Sequence, residues 1–311
     1  MAHAVPTVMR SRSDVVVAVS PSLSGLAAAH FGRRGRPLGV IVQDFTGDGA
    51  SQTGTAGTHA ASAITRIEQR LLRRANQVGV ISTDFVRQAI DAGVHPDRIS
   101  LVPNFTHIDP ADVSMEEARS VLGWNQEAFT VVHTGNMGLK QGLHHVVDAA
   151  RHAEQRGERI DWVLLGDGNQ RKVLEAQARG VASIRFVDPL PEADYPYALA
   201  AADVLLLSEN SGVKEFCLPS KLTSYVVSGR PILAATDRGS ITHRTIERYG
   251  FAHLVDAGDS LQLLAGLDRI RANPTLVKSL VESAAAYSSL TSRHDASARY
   301  VDFIDGLVHR T

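Results

Sequence analysis

Cysteine is nearly absent from this chain: Cys217 is the only one in 311 residues. A single cysteine excludes an intramolecular disulfide framework and fits a reducing compartment. Long hydrophobic runs are missing as well. No apolar stretch nears the roughly 18 residues that a membrane-spanning helix needs, and the opening MAHAVPTVMRSRSD lacks the apolar core of a secretory signal. Neither sign of charge is in excess. Basic and acidic side chains number 32 and 33, for a net charge of −1, so nothing in the overall balance points to nucleic acid. No short-period repeat is present. What remains is ordinary globular composition, 44% hydrophobic and 21% charged, in a length that suggests about two domains, each able to bury a core. The expectation is a soluble cytoplasmic protein.

The stretch 130–142, TVVHTGNMGLKQG, anchors the reading. TVVH has the continuous apolar character of a buried strand. It stops at Gly135-Asn136-Met137-Gly138, Gly142 follows, and from Leu143 the residues Leu143, Val146, Val147 and Ala150 share one helical face. A strand, a glycine-rich turn and a helix start make an anion site, because backbone N–H groups point outward and glycine lets a phosphate approach. The same pattern also suits a plain tight turn. It is neither the spaced dinucleotide fingerprint nor the Walker lysine pattern.

Strand-like and helix-like runs alternate on both sides of this stretch. Before it, strands at 14–19, 39–42, 79–82 and 99–102 alternate with helices at 23–31, 60–75 and 83–92. The pattern lapses over 105–126, apart from a short helix at 116–122. After it, strands at 162–165, 184–187, 203–207 and 232–235 alternate with helices at 170–178, 195–201, 220–228 and 240–249, and the chain ends in helices at 261–272, 276–290 and 293–309. Such alternation predicts parallel sheets with right-handed crossovers. The domains expected are an incomplete N-terminal Rossmann-like unit over 1–126, a C-terminal one over 127–292, and a last helix over 293–311.

In such sheets ligands bind where the strands end. In the second unit those ends carry Gly135-Asn136, Gly166-Asp167-Gly168, Asp188 and the segment 215–221. Ser220, a candidate N-cap, and Lys221 offer N–H groups, a hydroxyl and a cation, which suit a diphosphate. Lys140, beside the glycine turn, makes a similar offer. Both places also read as ordinary capped helix starts with a solvated lysine. Asp44 ends a buried strand before the glycine-rich loop 46–58. It could hydrogen-bond a sugar hydroxyl, accept a proton, or close an Asx-turn. His133 lies inside a strand and reads as a satisfied core residue. His144-His145 has no spaced acidic partners, so no metal site is read. The helix at 60–75 carries Ile64, Ile67, Leu71 and Leu72 on one side and Arg66, Arg70, Arg73 and Arg74 on the other. Those arginines form a solvated face or a contact for anionic lipid headgroups.

Three motifs, Gly135-Asn136-x-Gly138-x-x-Gln141-Gly142, Gly166-Asp167-Gly168 and Leu218-Pro219-Ser220-Lys221-Leu222-x-x-Tyr225-x-x-x-Gly229-Arg230-Pro231, together resemble the retaining glycosyltransferases of family 4. The branch they resemble is the polysaccharide-assembly type related to colanic acid and O-antigen transferases. Upstream, Gln43-Asp44 with its glycine loop, the helix around 68–74, Val80-Ile81-Ser82 and Val102-Pro103-Asn104 match too, so the resemblance covers about residues 14–300. It implies an α/β protein of GT-B architecture: two Rossmann-like parallel-sheet domains facing a cleft, with the C-terminal helix returning to the N-terminal domain. It implies transfer of a sugar, with retention, from a nucleoside-diphosphate-sugar to a lipid-linked or glycan acceptor in cell-envelope or exopolysaccharide biosynthesis. Gly135, Asn136, Gly138, Lys140, Gln141, Ser220 and Lys221 would hold the donor diphosphate. Asp167, Val187, Leu190 and Ser224 would meet the nucleotide base and ribose. Glu215 and Phe216 would face the donor sugar. Asp44, the catalytic candidate, would face the acceptor with Thr46 and Asn104. No protein-bound metal or other cofactor is implied, since the donor phosphate itself helps to deprotonate the acceptor. The implied location is cytoplasmic, peripheral on the inner face of the plasma membrane through Arg66, Arg70, Arg73 and Arg74, with no nucleic-acid partner.

Three departures qualify the resemblance. Many relatives have arginine and lysine where Asn136 and Gln141 stand, although the polysaccharide branch also shows this form, with Lys140 at hand to supply charge. Relatives carry two spaced glutamates after the fourth strand of the second unit. Those positions here are Phe216 and Ser224, with Glu215 one residue off, and loss of the second removes a ribose contact. Relatives also carry further strands ahead of Val15. With Met1 as the start, the first sheet lacks its opening βαβ units, and its edge is exposed or covered by a partner. A truncated, non-catalytic interaction partner therefore stays open as an alternative. A GT-B nucleotide-sugar epimerase is a third reading, for which no acid/base pair stands out.

Overall fold

The computed structural model describes residues 4–45, 58–212 and 218–309, and of 58–61 the backbone alone. Thr46, Glu215 and Phe216, and with them most of the 46–58 loop, lie outside the described residues. The chain forms two compact units, Met1–Phe105 with Thr291–Thr311, and Thr106–Leu290.

The first unit runs α1 (Ala4–Arg10), β1 (Val16–Ser20), α2 (Leu23–Gly32), β2 (Leu38–Val42), α3 (Thr58–Arg73), β3 (Gln77–Val80), α4 (Thr83–Asp91) and β4 (Ile99–Leu101). Ser22 and Ser82 cap α2 and α4 by accepting the Gly25 and Phe85 N–H groups. The four strands pair in parallel in the order β1-β2-β3-β4. The last helix of the chain, Arg293–Val308, packs on this sheet. Gly39 and Gly79 make room for it: a Cβ at Gly39 would stand 2.8 Å from the Phe303 ring, and one at Gly79 3.3 Å from it. Phe303 and Leu307 join Ile41 and Val102 in one buried cluster. Val17 and Val19 on β1 stay 38% and 51% exposed. Among the described residues no strand pairs with the outer edge of β1.

The second unit contains α5 (Met115–Leu122), β5 (Phe129–Thr134), α6 (His144–Gln155), β6 (Ile160–Leu165), α7 (Arg171–Gln177), β7 (Ile184–Val187), α8 (Tyr195–Ala200), β8 (Val204–Ser208), α9 (Lys221–Val227), β9 (Ile232–Thr236), α10 (Ile241–Tyr249), β10 (His253–Asp256), α11 (Ser260–Ala272) and α12 (Pro274–Leu290). Its strands are all parallel, in the order β10-β9-β8-β5-β6-β7. The chain starts at the centre with β5, winds outward to β7, then crosses back to β8 and winds the other way. That reversal puts the topological switch point, where such sheets bind ligands, between β5 and β8. Two buried clusters line the unit. One holds Val146, Val147 and Ala150 of α6 with Leu263 and Leu267 of α11, and the other holds Leu199, Tyr225, Val226 and Ala284.

Three sequence expectations need correction. The first domain does not run to 126; the division falls at Phe105. The cause is Arg119 on α5, 4% exposed, which donates to Asp203 at 2.6 Å and to the Ala201 carbonyl at 3.0 Å and so ties α5 to the second unit. Asp203 also accepts the Thr130 N–H, at 2.6 Å. Secondly, Ile67 departs from the side of α3 on which Leu71 and Leu72 are buried: it is 53% exposed while Glu68 is 2% exposed. Thirdly, β10 and α1 form where no element was expected, β10 as a half-buried edge strand with a polar residue at each end.

Candidate functional site

Strands β5 and β8 pair at Val131–Val204 and Val132–Leu205, and then part. Side chains fill the gap that opens. The Tyr225 hydroxyl accepts the Thr134 N–H at 2.9 Å, and burial pushes its phenol pKa up, so it stays protonated. His133 puts Nδ1 3.1 Å from the Leu206 carbonyl. A carbonyl only accepts, so Nδ1 carries the proton and Nε2 carries a lone pair. Complete burial, and then the Lys221 charge, hold the His133 pKa well below the ordinary histidine value, so the ring is neutral. Its Nε2 accepts from Lys221 Nζ at 3.0 Å. A Cβ on Gly135 (φ +97°) would lie 3.6 Å from Lys221 Cε and 3.8 Å from Nζ, so the ammonium stands over the glycine turn.

The glycines of this region serve packing more than open approach. The Gly135 N–H donates to Leu165 O and the Met137 N–H to Asp167 O, both at 2.8 Å, while Asn210 N–H donates to Lys140 O at 2.7 Å. The loops after β5, β6 and β8 are thus laced together. A Cβ on Gly166 would overlap the Gly135 carbonyl oxygen, one on Gly168 would stand 2.5 Å from Met137 O, and one on Gly142 would stand 2.9 Å from the Asn210 Cα. Asn136 drapes its amide over Gly138 and Gly168. Gln141 turns its side-chain oxygen inward to accept the Gly138 N–H at 3.0 Å. Those N–H groups are therefore engaged inside the turn, and the cation that meets the turn is Lys221.

The remaining expected donor residues fall as follows. Asp167 accepts the N–H of the next residue, Gly168, at 2.7 Å. Val187 and Leu190 are half-buried at the end of β7 and in the segment that follows it. Ser220 is not the N-cap expected: its backbone is already helical and its hydroxyl makes no capping bond. Ser224 is buried, at 4% exposure. It donates to the Lys221 carbonyl at 2.9 Å and meets the Tyr195 hydroxyl at 3.1 Å. Tyr195 in turn meets Thr134 Oγ1 at 2.9 Å, closing a buried hydroxyl network.

His133 is the satisfied core residue expected, although nothing in a strand pattern announces a lysine partner 88 positions away. Sequence reasoning missed two residues here. Arg171 bridges the β6 and β7 ends through Gly166 O at 2.9 Å and Asp188 at 2.6 Å; its bonds to Glu175 and Asp188 raise its pKa. Glu209, just past β8, carries a carboxylate at 2% exposure. Among the described residues no group of three or more histidine, cysteine, aspartate or glutamate side chains could hold a metal ion.

In the first unit the strand ends also gather polar groups. Ser20 Oγ lies 2.8 Å from Asp44 O and 3.2 Å from Glu68 Oε1. Asn104 does not stand by itself; its amide donates to Gln43 Oε1 at 2.8 Å. Glu68 was missed although Ile64, Glu68 and Leu72 follow the helical spacing of one buried side. Arg66, Arg70, Arg73 and Arg74 are exposed, and Arg73 also donates to the Ala92 carbonyl at 3.0 Å. Among the described residues no helix is long and apolar enough to cross a membrane.

Comparison with known proteins agrees with this architecture. Residues 2–104 match the glycosyl transferase 4-like domain, and residues 128–273 match the glycosyl transferases group 1 domain. WcaI of Escherichia coli strain K12, named as a colanic acid biosynthesis glycosyl transferase, is 30% identical over 206 residues, 62% of this chain and 50% of WcaI. The lipopolysaccharide core biosynthesis glycosyltransferase LpsD of Rhizobium meliloti is 27% identical over 231 residues, 72% of this chain and 62% of LpsD. This chain thus spans about half the length of WcaI and under two thirds of LpsD. The crystal structure of Anabaena HepE in complex with UDP-glucose superposes with a TM-score of 0.75 at 19% identity, covering 98% of this chain and 81% of HepE. Two all-parallel α/β units, a strand order that reverses beside the Lys221 ammonium, and two domain matches in register with the two units lead to one assignment: the chain belongs to the family 4 type of glycosyltransferases and has the GT-B fold.

Proposed function

We propose that the second unit binds a nucleoside-diphosphate-sugar at the ends of β5 and β8. The chain then transfers the sugar, with retention, to a lipid-linked or glycan acceptor in cell-envelope or exopolysaccharide biosynthesis. One observation carries this reading: the Lys221 ammonium, fixed at the switch point above Gly135. A diphosphate is the ligand that such a cation suits, and negative charge grows on it as the sugar leaves, so the cation favours the transition state over the ground state. The acceptor proton passes to the donor phosphate, so the reaction needs neither a protein nucleophile nor a protein-bound metal. Asp44 orients the acceptor hydroxyl. HepE, of the same fold, was crystallised with UDP-glucose, which supports a nucleotide-sugar donor. Arg66, Arg70 and Arg74, with the protruding Ile67 at 53% exposure, support contact with anionic lipid at the inner face of the plasma membrane.

The test is calorimetric titration with UDP, GDP, UDP-sugars and GDP-sugars, followed by a transfer assay with the donor that binds. Binding of one nucleotide class is expected. A folded protein that binds none of them would refute the reading. Burial of Ser224 at the position of the relatives' ribose glutamate favours one competing reading, a non-catalytic relative that acts as an interaction partner. Nucleotide binding without donor hydrolysis or transfer would select it.

A further inference from the structure

We propose that His133 is a positioning residue, which aims the Lys221 ammonium at the donor diphosphate. This rests on the donor-binding reading above. A buried strand position beside Val131 and Val132 is one where an aliphatic side chain would pack at no polar cost, whereas an imidazole there must satisfy two nitrogens. Leu206 O satisfies one at 3.1 Å and Lys221 Nζ the other at 3.0 Å. The groups facing the ring come from three elements: Leu206 O from β8, the Asn136 backbone from the turn, and Lys221 from α9. Tyr225 reaches the same Leu206 carbonyl at 3.5 Å. Lys221 is the charged group among them.

The chemistry of the acceptor matters. A carboxylate at position 133 would neutralise the lysine and compete with phosphate. A neutral imidazole orders the side chain without adding a negative charge beside it. A flexible lysine would otherwise lose rotamer freedom on binding, and the bond to His133 removes that cost in advance.

The test is a set of variants titrated with inorganic pyrophosphate, UDP and GDP, each variant first checked by thermal denaturation. His133→Leu removes the acceptor, and about tenfold weaker binding of whichever probe the wild type takes is expected. His133→Gln keeps a neutral acceptor and is expected to recover most of the loss. In the Lys221→Met background, His133→Leu is expected to add nothing, because its effect runs through that lysine. Equal binding by wild type and His133→Leu, or the same tenfold loss in both backgrounds, would overturn the proposal while leaving donor binding intact. Failure of the wild type to bind any probe would overturn both. If His133→Leu does not fold, the imidazole ¹⁵N shifts of wild type and Lys221→Met decide. An Nε2 signal that moves on loss of Lys221, and moves again in wild type when the bound probe is added, is expected; unmoved signals would refute the assignment.

Discussion

Gly166→Ala separates backbone conformation from loop packing. At φ +137° the residue sits where only glycine is at ease. Gly180 also has a positive φ, +82°, but nothing stands within 4 Å of the place its Cβ would take. Alanine there should cost about 1 kcal/mol, the conformational penalty less the entropy removed from the unfolded chain. Alanine at 166 adds a steric overlap with the Gly135 carbonyl oxygen, which only a backbone shift can relieve. That shift breaks the Gly135 N–H bond to Leu165 O, at 2.8 Å, and the Gly166 N–H bond to Val187 O, at 2.9 Å. At about 1 kcal/mol for each lost bond, the total comes to roughly 3–4 kcal/mol. The assay is built into the chain: both tryptophans, Trp124 and Trp162, lie in the second unit and are buried, so tryptophan fluorescence follows that unit alone. With a urea slope near 2 kcal/mol/M, the midpoint should fall by about 1.5–2 M for Gly166→Ala and by about 0.5 M for Gly180→Ala. Equal shifts in the two variants would refute the packing argument.

Three further outcomes can be checked. Lys221→Met should weaken nucleotide binding about 10- to 100-fold by calorimetry, the value of a charge-assisted hydrogen bond. Arg119→Met should destabilise the second unit by about 3 kcal/mol in the same urea titration, because Asp203 keeps the Thr130 N–H but loses its buried cation. His133 sets a pH dependence: the unfolded ring takes up a proton as pH falls through about 6.5, whereas the folded ring, depressed well below that, does not. Stability should therefore fall on acidification, by about 2 kcal/mol between roughly pH 7 and pH 5, and this slope should flatten in His133→Gln.

Much of the architecture was legible, because continuous runs such as VVAVS, LGVIV and VLLLS have few other uses than buried parallel strands. Which strand lies beside which was not, since parallel pairing leaves no trace in the period of any one strand. The central place of β5, and with it the meeting of His133, Leu206 and Lys221, follows from that order alone. Local spacing also misled where a polar residue shares a buried side. Glu68 is buried while Ile67 is exposed, and the buried carboxylate has Ser20 as a partner that only the fold supplies. Ser220 and Ser224 were placed by motif, and motif spacing fixes neither which way a hydroxyl turns nor what it meets. Tyr195, remote in sequence, takes the Ser224 hydroxyl into the interior.

The helix Arg293–Val308 covers Gly39 and Gly79, strands made more than 200 residues earlier. During synthesis the first sheet therefore waits, one face uncovered, while the whole of the second unit is made, and the second unit is continuous and can fold as soon as it clears the ribosome. A premature stop codon after Leu290 would leave the second unit whole and strip the first of the helix that covers its sheet. Damage to the codons of Arg293–Val308 would thus be felt in a unit most of which is translated earlier.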